Sequence, residues 1–191
     1  MSSAEPPPHL PGEEGVWVFV AGDLLVFTLF FGTYLHYLGL QRAEFLSAQA
    51  DLSPLIGLAN TLLMLTSSWC VASAIRSLRE GNDARARLLV LGALLCGALF
   101  LLDKGIEWAT LIASGHTLLS GNFFMLFFMF TGIHAMHVLI GIGVLLYLLA
   151  RLRPSADRSQ VSFPVAESCA TFWHLVDLLW IVLFALFYLT R

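Results

Sequence analysis

Two long apolar runs in the C-terminal half of the chain, residues 122–150 and 166–190, carry histidines and an acidic residue near their centres. Each run exceeds the roughly 20 residues that a helix needs to cross the hydrocarbon core of a bilayer. An ionisable side chain at that depth is unfavourable unless it faces the protein interior, a partner or water. The two runs therefore predict a membrane protein with polar groups inside a helical bundle.

The composition supports the membrane class. Of the 191 residues, 58% are hydrophobic and only 12% are charged. A soluble domain of this size would need more polar residues to cover its surface. No basic stripe or arginine-rich arm occurs in the sequence, so we expect no nucleic-acid binding. Cys70, Cys96 and Cys169 lie inside apolar runs and form no C-x-x-C pair, so the sequence indicates neither a disulfide nor a zinc site.

Five apolar segments are long enough to span a membrane. They cover about 16–38, 55–77, 88–113, 122–150 and 166–190. Residues 1–15 contain three acids, four prolines and no Lys or Arg, the reverse of the basic start of a signal peptide, and we expect them to form a short cytoplasmic arm. The sequence thus predicts an all-α protein with a single five-helix transmembrane domain over residues 16–191.

The positions of the arginines predict the orientation of these helices. Seven lie at one set of helix ends: Arg76, Arg79, Arg85, Arg87, Arg151, Arg153 and Arg158. The other set of ends holds only Arg42 and Arg191. Because Lys and Arg are retained on the cytoplasmic side, we expect a cytoplasmic N-terminus and a periplasmic C-terminus in a bacterial inner membrane.

Eight ionisable side chains are predicted to form an intramembrane polar cluster with a structural, lipid-related or proton-related role. They are Asp23, Lys104, Glu107, His134, His137, Glu167, His174 and Asp177. Lys104 and Glu107 are three residues apart and can neutralise each other on one helix face. Depths estimated from a rise of about 1.5 Å per residue agree to about two turns for Asp23, Glu167 and His174. We therefore expect these three to meet between the first and fifth segments.

Other polar and aromatic residues have expected roles in packing. Asn60 and Thr61 of the second segment are predicted to make an interhelical hydrogen bond. Trp17, Trp180 and Tyr188 lie near helix ends, where tryptophan and tyrosine commonly form an aromatic belt at the membrane surface.

Three functions compete for the ionisable residues. The histidines of the fourth and fifth segments could ligate haem b or copper, although His137 facing His174 would supply only one opposed pair. The acids together with His174 could form the proton relay of a transporter. Alternatively, polar pairs lock the helices together or hold lipid head groups, and this function is favoured because interhelical pairing is common for polar side chains in membranes. No catalytic residue, cofactor site or metal site is assigned.

Several motifs resemble those of a known family along nearly the whole chain. The strongest are TGIHAMHVLIG at 131–141 and WHLVDLLW at 173–180, and weaker ones are GDLLVF at 22–27, ANTLL at 59–63 and KGIEW at 104–108. Together they resemble subunit III of the haem–copper oxidases, in the five-helix form that lacks the first two of seven helices. Asp23 stands where that family carries an acidic residue.

The resemblance implies a non-catalytic subunit that binds no redox metal and has no cofactor of its own. Such a subunit packs against a large haem-containing catalytic membrane subunit, which is accompanied by a cytochrome or small subunit. It also holds phospholipid in a cleft between helix groups. Haem and metal would then belong to the partner.

Departures from the family pattern indicate which branch of the family the chain resembles more. Lys104 stands where the family usually has glutamine, and Ile75 and Arg76 stand where oxidase forms often have histidines. The segment HLPGE at 9–13 resembles the accessory protein associated with nitric-oxide reductase. We therefore favour an accessory subunit of nitric-oxide reductase, with subunit III of a cytochrome c or quinol oxidase as the alternative. A proton-coupled carrier and a haem b cytochrome are the remaining hypotheses.

Overall fold

The structure is a computed structural model that describes residues 14–152 and 163–190. These residues form six α-helices and a final π-helical turn: α1 (Glu14–Leu40), α2 (Arg42–Gln49), α3 (Pro54–Arg79), α4 (Asp83–Ala113), α5 (Asn122–Arg151), α6 (Phe163–Phe184) and the π turn (Ala185–Leu189). Neither described range contains a β-strand. Most of the predicted arm, together with Arg153, Arg158 and Arg191, lies outside the described residues.

Five of the helices in the described residues are long and apolar enough to cross a membrane, namely α1, α3, α4, α5 and α6 with the π turn. They fall on the five predicted segments, so the predicted all-α five-helix architecture is confirmed. The helix ends extend beyond some apolar runs, because polar residues continue the helices. For example, α4 begins at Asp83 rather than residue 88, since the Asn82 side chain accepts a hydrogen bond from the Arg85 amide at 3.0 Å and caps the helix.

The short helix α2 is missing from the sequence prediction, because its eight residues are too few and too polar to suggest a membrane span. It nevertheless buries the Phe45 side chain completely. The Phe45 ring packs edge-to-face against Tyr34 of α1 and Phe123 of α5, with centroid distances of 5.4 and 5.5 Å. This helix therefore ties α1 to α5 at one end of the bundle.

Helix α6 lies in the centre of the bundle and α1 at its edge. Trp173 of α6 is fully buried and packs directly on the backbones of two neighbouring helices. A β-carbon at Gly141 of α5 would lie 2.7 Å from Trp173 Cε3, and one at Gly97 of α4 would lie 3.0 Å from Cη2. These glycines allow the close helix contacts that membrane bundles use. By contrast, only 6% of the apolar span of α1 is buried, against 61% for α6.

Candidate intramembrane polar site

The most deeply buried charges are Lys104 and Glu107 of α4, which are 2% and 3% exposed. Lys104 Nζ lies 2.5 Å from Glu107 Oε2 and donates to the Tyr188 hydroxyl at 3.1 Å. The Tyr188 hydroxyl in turn donates to Glu107 Oε1 at 2.7 Å. The ammonium also lies 4.5 Å from the centroid of the Trp180 ring, within cation–π range. The buried charges are thus paired and hydrogen-bonded, as their low-dielectric surroundings require.

Tyr188 belongs to the π turn (Ala185–Leu189), which ends the last helix. A π turn breaks the regular i to i−4 pattern and changes which backbone carbonyls are bonded within the helix. The carbonyl of Leu186 accepts hydrogen bonds from the Tyr34 hydroxyl at 2.9 Å and from Gln49 Nε2 at 3.2 Å. Residues of α1 and α2 therefore satisfy the backbone of the turn that carries Tyr188.

Helix α3 approaches this site closely through Gly57 and Thr61. A β-carbon at Gly57 would lie 2.8 Å from Tyr188 Cδ1, so only glycine leaves room for that ring. Thr61 Oγ1 accepts a hydrogen bond from Trp180 Nε1 at 3.1 Å, which is an interhelical bond of the kind predicted. Asn60 is fully buried, but neither polar atom of its side chain has a hydrogen-bond partner among the described residues.

Trp180 and Tyr188 are not membrane-surface residues in this bundle, although their positions near a helix end suggested an aromatic belt. Trp180 is 0% exposed and Tyr188 is 4% exposed. Their polar atoms bind Thr61 and the Lys104–Glu107 pair, respectively. The prediction was wrong because the central position of α6 turns these side chains into the bundle.

His134 of α5 is also fully buried beside this site. Its ring lies between Phe100 and Trp180, with centroid distances of 5.5 and 5.3 Å. Within the described part of the chain, neither ring nitrogen has a hydrogen-bond partner. Over the same residues, no three His, Cys, Asp or Glu side chains are grouped as metal ligands.

A second pair, less deeply buried, links α1 to α5. Asp23 Oδ2 lies 3.2 Å from His137 Nε2, and His137 Nδ1 lies 2.8 Å from the carbonyl oxygen of Ile133. Because a carbonyl oxygen only accepts, Nδ1 must carry a hydrogen. Asp23 and His137 thus bring α1 and α5 together inside the membrane region.

The polar residues form separate pairs rather than the single cluster predicted between the first and fifth segments. Asp23 pairs with α5, whereas Glu167 Oε1 accepts a hydrogen bond from Arg79 Nη2 of α3 at 2.6 Å. His174 Nδ1 lies 2.6 Å from the Ser68 hydroxyl, also on α3. The depth estimates indicate how far along the membrane normal each residue lies. They do not indicate towards which neighbouring helix its side chain points. Here α6 turns Glu167 and His174 towards α3 instead of α1.

Asp177 completes the set of predicted residues. Its side chain is buried, and its Oδ1 atom has no hydrogen-bond partner among the described residues. Sequence reasoning missed Ser68 and Arg79 as partners. Ser68 gave no signal because single serines are common in apolar helices, and Arg79 was used only as an indicator of orientation.

These observations define a multi-pass helical membrane protein whose helices are joined by ion pairs and by buried hydrogen bonds. The sequence model of the family described as cytochrome c oxidase subunit III matches residues 12–190. The chain therefore belongs to the cytochrome c oxidase subunit III family, which confirms the resemblance found in its motifs.

Individual relatives agree with this assignment. Cytochrome c oxidase subunit 3 of Mycosarcoma maydis is 32% identical over 179 residues, which cover 89% of this chain and 62% of that protein. The Synechocystis cytochrome c oxidase subunit 3 is 28% identical over 175 residues, which cover 92% of this chain and 74% of that protein. The heme-copper oxidase subunit I+III of Aeropyrum pernix is 27% identical over 179 residues, covering 91% of this chain and 22% of that protein. The chain thus spans less than two thirds of the first and third of these relatives.

Proposed function

We propose that the protein is the non-catalytic subunit III of a terminal oxygen reductase, bound to a large haem-containing catalytic subunit and its cytochrome or small subunit. One observation carries this proposal. The Aeropyrum pernix relative is named subunit I+III, and 91% of this chain matches a part of it. Joining two subunits in one chain keeps them together permanently, so the match supports a role for this chain beside a subunit I.

The geometry of the site supports a structural contribution. The buried Lys104 and Glu107 are held by each other and by Tyr188, and Asp23 lies beside His137. Side chains paired in this way fix the arrangement of helices and leave no activated nucleophile. We expect the chain to have no cofactor of its own, with haem and metal in the catalytic subunit, and to hold phospholipid at its surface.

The proposal includes the orientation of the chain in a bacterial inner membrane. Arg76 and Arg79 end α3, Arg85 lies in the first turn of α4, and Arg151 ends α5. Alternating spans place these ends on one side of the membrane, and the positive-inside rule favours the cytoplasm. A cysteine introduced at Thr117, in the loop between α4 and α5, should then react with a membrane-impermeant maleimide from the periplasmic side. Labelling from the cytoplasmic side alone would reverse the orientation.

The accessory subunit of nitric-oxide reductase remains the second candidate. It is favoured by Lys104 and by Ile75 and Arg76, which depart from the family's usual residues. The oxidase subunit is the better-supported proposal because the relatives described above carry oxidase names.

Deleting the chain from its host tests the proposal. Membranes that lack it should keep their haem content but lose oxygen consumption per haem, either at once or progressively during turnover, because the catalytic subunit loses a stabilising neighbour. A loss confined to nitric-oxide consumption would favour the second candidate. Unchanged rates with both gases, measured over many turnovers, would contradict both. Complementation with the full chain controls for effects on neighbouring genes.

A further inference from the structure

The imidazole of His134, on α5, is fully buried, and its two ring nitrogens have no hydrogen-bond partner among the described residues. A neutral imidazole carries one donor and one acceptor, and an imidazolium carries two donors. Polar groups buried in folded proteins are nearly always hydrogen-bonded, either to protein atoms or to ordered water. The imidazole of His134 therefore points to a bound molecule that can form hydrogen bonds inside the bundle.

The side chains around His134 are already bonded or have no polar atom. The rings of Phe100 and Trp180 pack on the imidazole, with centroid distances of 5.5 and 5.3 Å. Phe100 is apolar, and the indole N–H of Trp180 donates to Thr61 Oγ1 at 3.1 Å. One turn earlier on α5, the hydroxyl of Thr131 donates to a backbone carbonyl of its own helix at 2.6 Å. None of these donors is left for the imidazole.

The ammonium of Lys104 has an unused hydrogen beside the same indole. Of its three N–H groups, one is directed to Glu107 Oε2 at 2.5 Å and one to the Tyr188 hydroxyl at 3.1 Å. The third has no acceptor oxygen or nitrogen in the part of the chain that the structure describes. Lys104 Nζ lies 4.5 Å from the centroid of the Trp180 ring, on which His134 also packs. Lys104 of α4 and His134 of α5 are therefore neighbours around one indole.

Helix α3 contributes another side chain with unused polar atoms. Asn60 is fully buried, and within the described ranges neither its amide oxygen nor its amide nitrogen has a hydrogen-bond partner. Asn60 follows Gly57 by three residues, so the two share a helix face, and the Tyr188 ring packs against Gly57. Asn60 thus faces the interior in which Tyr188 meets Lys104. Three helices direct unused donors and acceptors towards this interior.

Water is the ligand that suits these groups. It can accept a hydrogen bond from an ammonium and donate one to an imidazole nitrogen, and a buried water typically makes about three hydrogen bonds to otherwise unsatisfied groups. Two hydrogen bonds of about 2.8 Å let one water join groups that lie about 5–6 Å apart. The positive charge of Lys104 disfavours a metal cation here, and the Glu107 carboxylate bound to that ammonium disfavours an anion.

We propose that at least one ordered water molecule binds inside the bundle between Lys104 and His134. Its oxygen accepts the third N–H of Lys104, and one of its hydrogens is donated to the unprotonated ring nitrogen of His134. Its other hydrogen is available to the amide oxygen of Asn60. The water links α3, α4 and α5 at a depth where lipid surrounds the bundle. The site lies within this chain, so it is independent of the complex that the protein joins.

Solid-state NMR of the isotopically labelled full chain in lipid bilayers tests for this water. Magnetisation is transferred from water protons to the protein, and its build-up at the carbon-bound ring hydrogens of His134 is compared with that at the methyl groups of Val138. Val138 is the matched reference, because it lies one turn further along α5 and is fully buried without a polar side chain. We expect His134 to receive magnetisation several-fold faster than Val138.

Removing the ammonium should remove this difference. The double variant Lys104→Met, Glu107→Gln lacks the proposed donor and leaves no unpaired charge, so build-up at His134 should fall to the rate at Val138. Tyr147→Phe is the control variant, because Tyr147 lies on the exposed side of α5 and its loss should leave the His134 rate unchanged. Circular dichroism checks that each variant is folded, and the measurement on the unchanged protein decides without any variant.

Three results would overturn the inference. Equal build-up at His134 and Val138 in the unchanged protein would mean that no water contacts the imidazole. An unchanged His134 rate in the folded double variant would mean that Lys104 does not hold the water. A shift of the His134 signals when chloride replaces sulfate in the buffer would identify an anion as the ligand instead.

Discussion

The hydroxyl of Tyr188 donates a hydrogen bond to Glu107 Oε1 at 2.7 Å, across the interface between the π turn and α4. This contact joins two features that are unusual inside a membrane bundle, a buried lysine–glutamate pair and a local widening of a helix. The turn positions Tyr188, and Tyr188 supplies the third member of the polar triangle. The end of α6 and the charged pair of α4 therefore depend on each other.

Replacing this tyrosine should destabilise the protein. Tyr188→Phe keeps the ring but leaves Glu107 and Lys104 each with one hydrogen bond fewer in a buried site, and we expect a loss of about 1–3 kcal/mol. Thermal unfolding of the purified protein in detergent measures the change. Tyr147→Phe is the control, because Tyr147 is 47% exposed and should tolerate the loss of its hydroxyl. Equal stability of both variants would show that the triangle contributes nothing.

The lysine–glutamate pair should behave as a coupled unit. Lys104→Met leaves the Glu107 carboxylate buried without its counter-charge, and such single losses typically cost about 3–5 kcal/mol. Adding Glu107→Gln to that variant removes the unpaired charge and should recover most of the stability. A double-mutant cycle from unfolding curves gives the coupling energy. Additive effects of the two substitutions would contradict the pairing.

The contact between Trp173 and α5 predicts a difference between two glycines of the same helix. A β-carbon at Gly141 would lie 2.7 Å from the indole, whereas at Gly143 it would meet no atom within 4 Å. Gly141→Ala should therefore destabilise the bundle by about 1–3 kcal/mol through overpacking, and Gly143→Ala should be nearly neutral. Unfolding temperatures of the two variants, compared with the unchanged protein, decide this. Similar temperatures for both variants would mean that Trp173 does not pack on Gly141.

Local features of the sequence were sufficient to predict the spans and one of the pairs. Segment length and hydropathy identify five helices, and the three-residue spacing of Lys104 and Glu107 brings them together on one helix. Contacts between helices were not predictable in this way. The hydrogen bond from Tyr188 to Glu107 depends on a π turn that has no sequence signature. Which helix the Asp23 side chain faces depends on how α1 packs against α5. Tertiary packing, rather than spacing, determines both.

The contact between His137 Nδ1 and the Ile133 carbonyl oxygen predicts which imidazole nitrogen carries a hydrogen. Nitrogen-15 NMR of labelled protein should show a hydrogen on His137 Nδ1, because this atom faces the Ile133 carbonyl oxygen. In Asp23→Asn, the side-chain amide can donate to Nε2, so His137 should keep its Nδ1 hydrogen. His36, on the exterior of α1, provides a reference signal in the same spectrum. An unprotonated Nδ1 in the unchanged protein would rule out this arrangement.

The most direct test of membership in an oxygen-reducing complex is purification through an affinity tag on this chain in mild detergent. We predict that a haem-containing catalytic subunit is recovered in a fixed ratio to the tagged chain, and that the preparation consumes oxygen when supplied with reductant. An untagged strain processed in parallel controls for adhering membrane proteins. Recovery of the folded chain without haem, from membranes that reduce oxygen, would contradict the account.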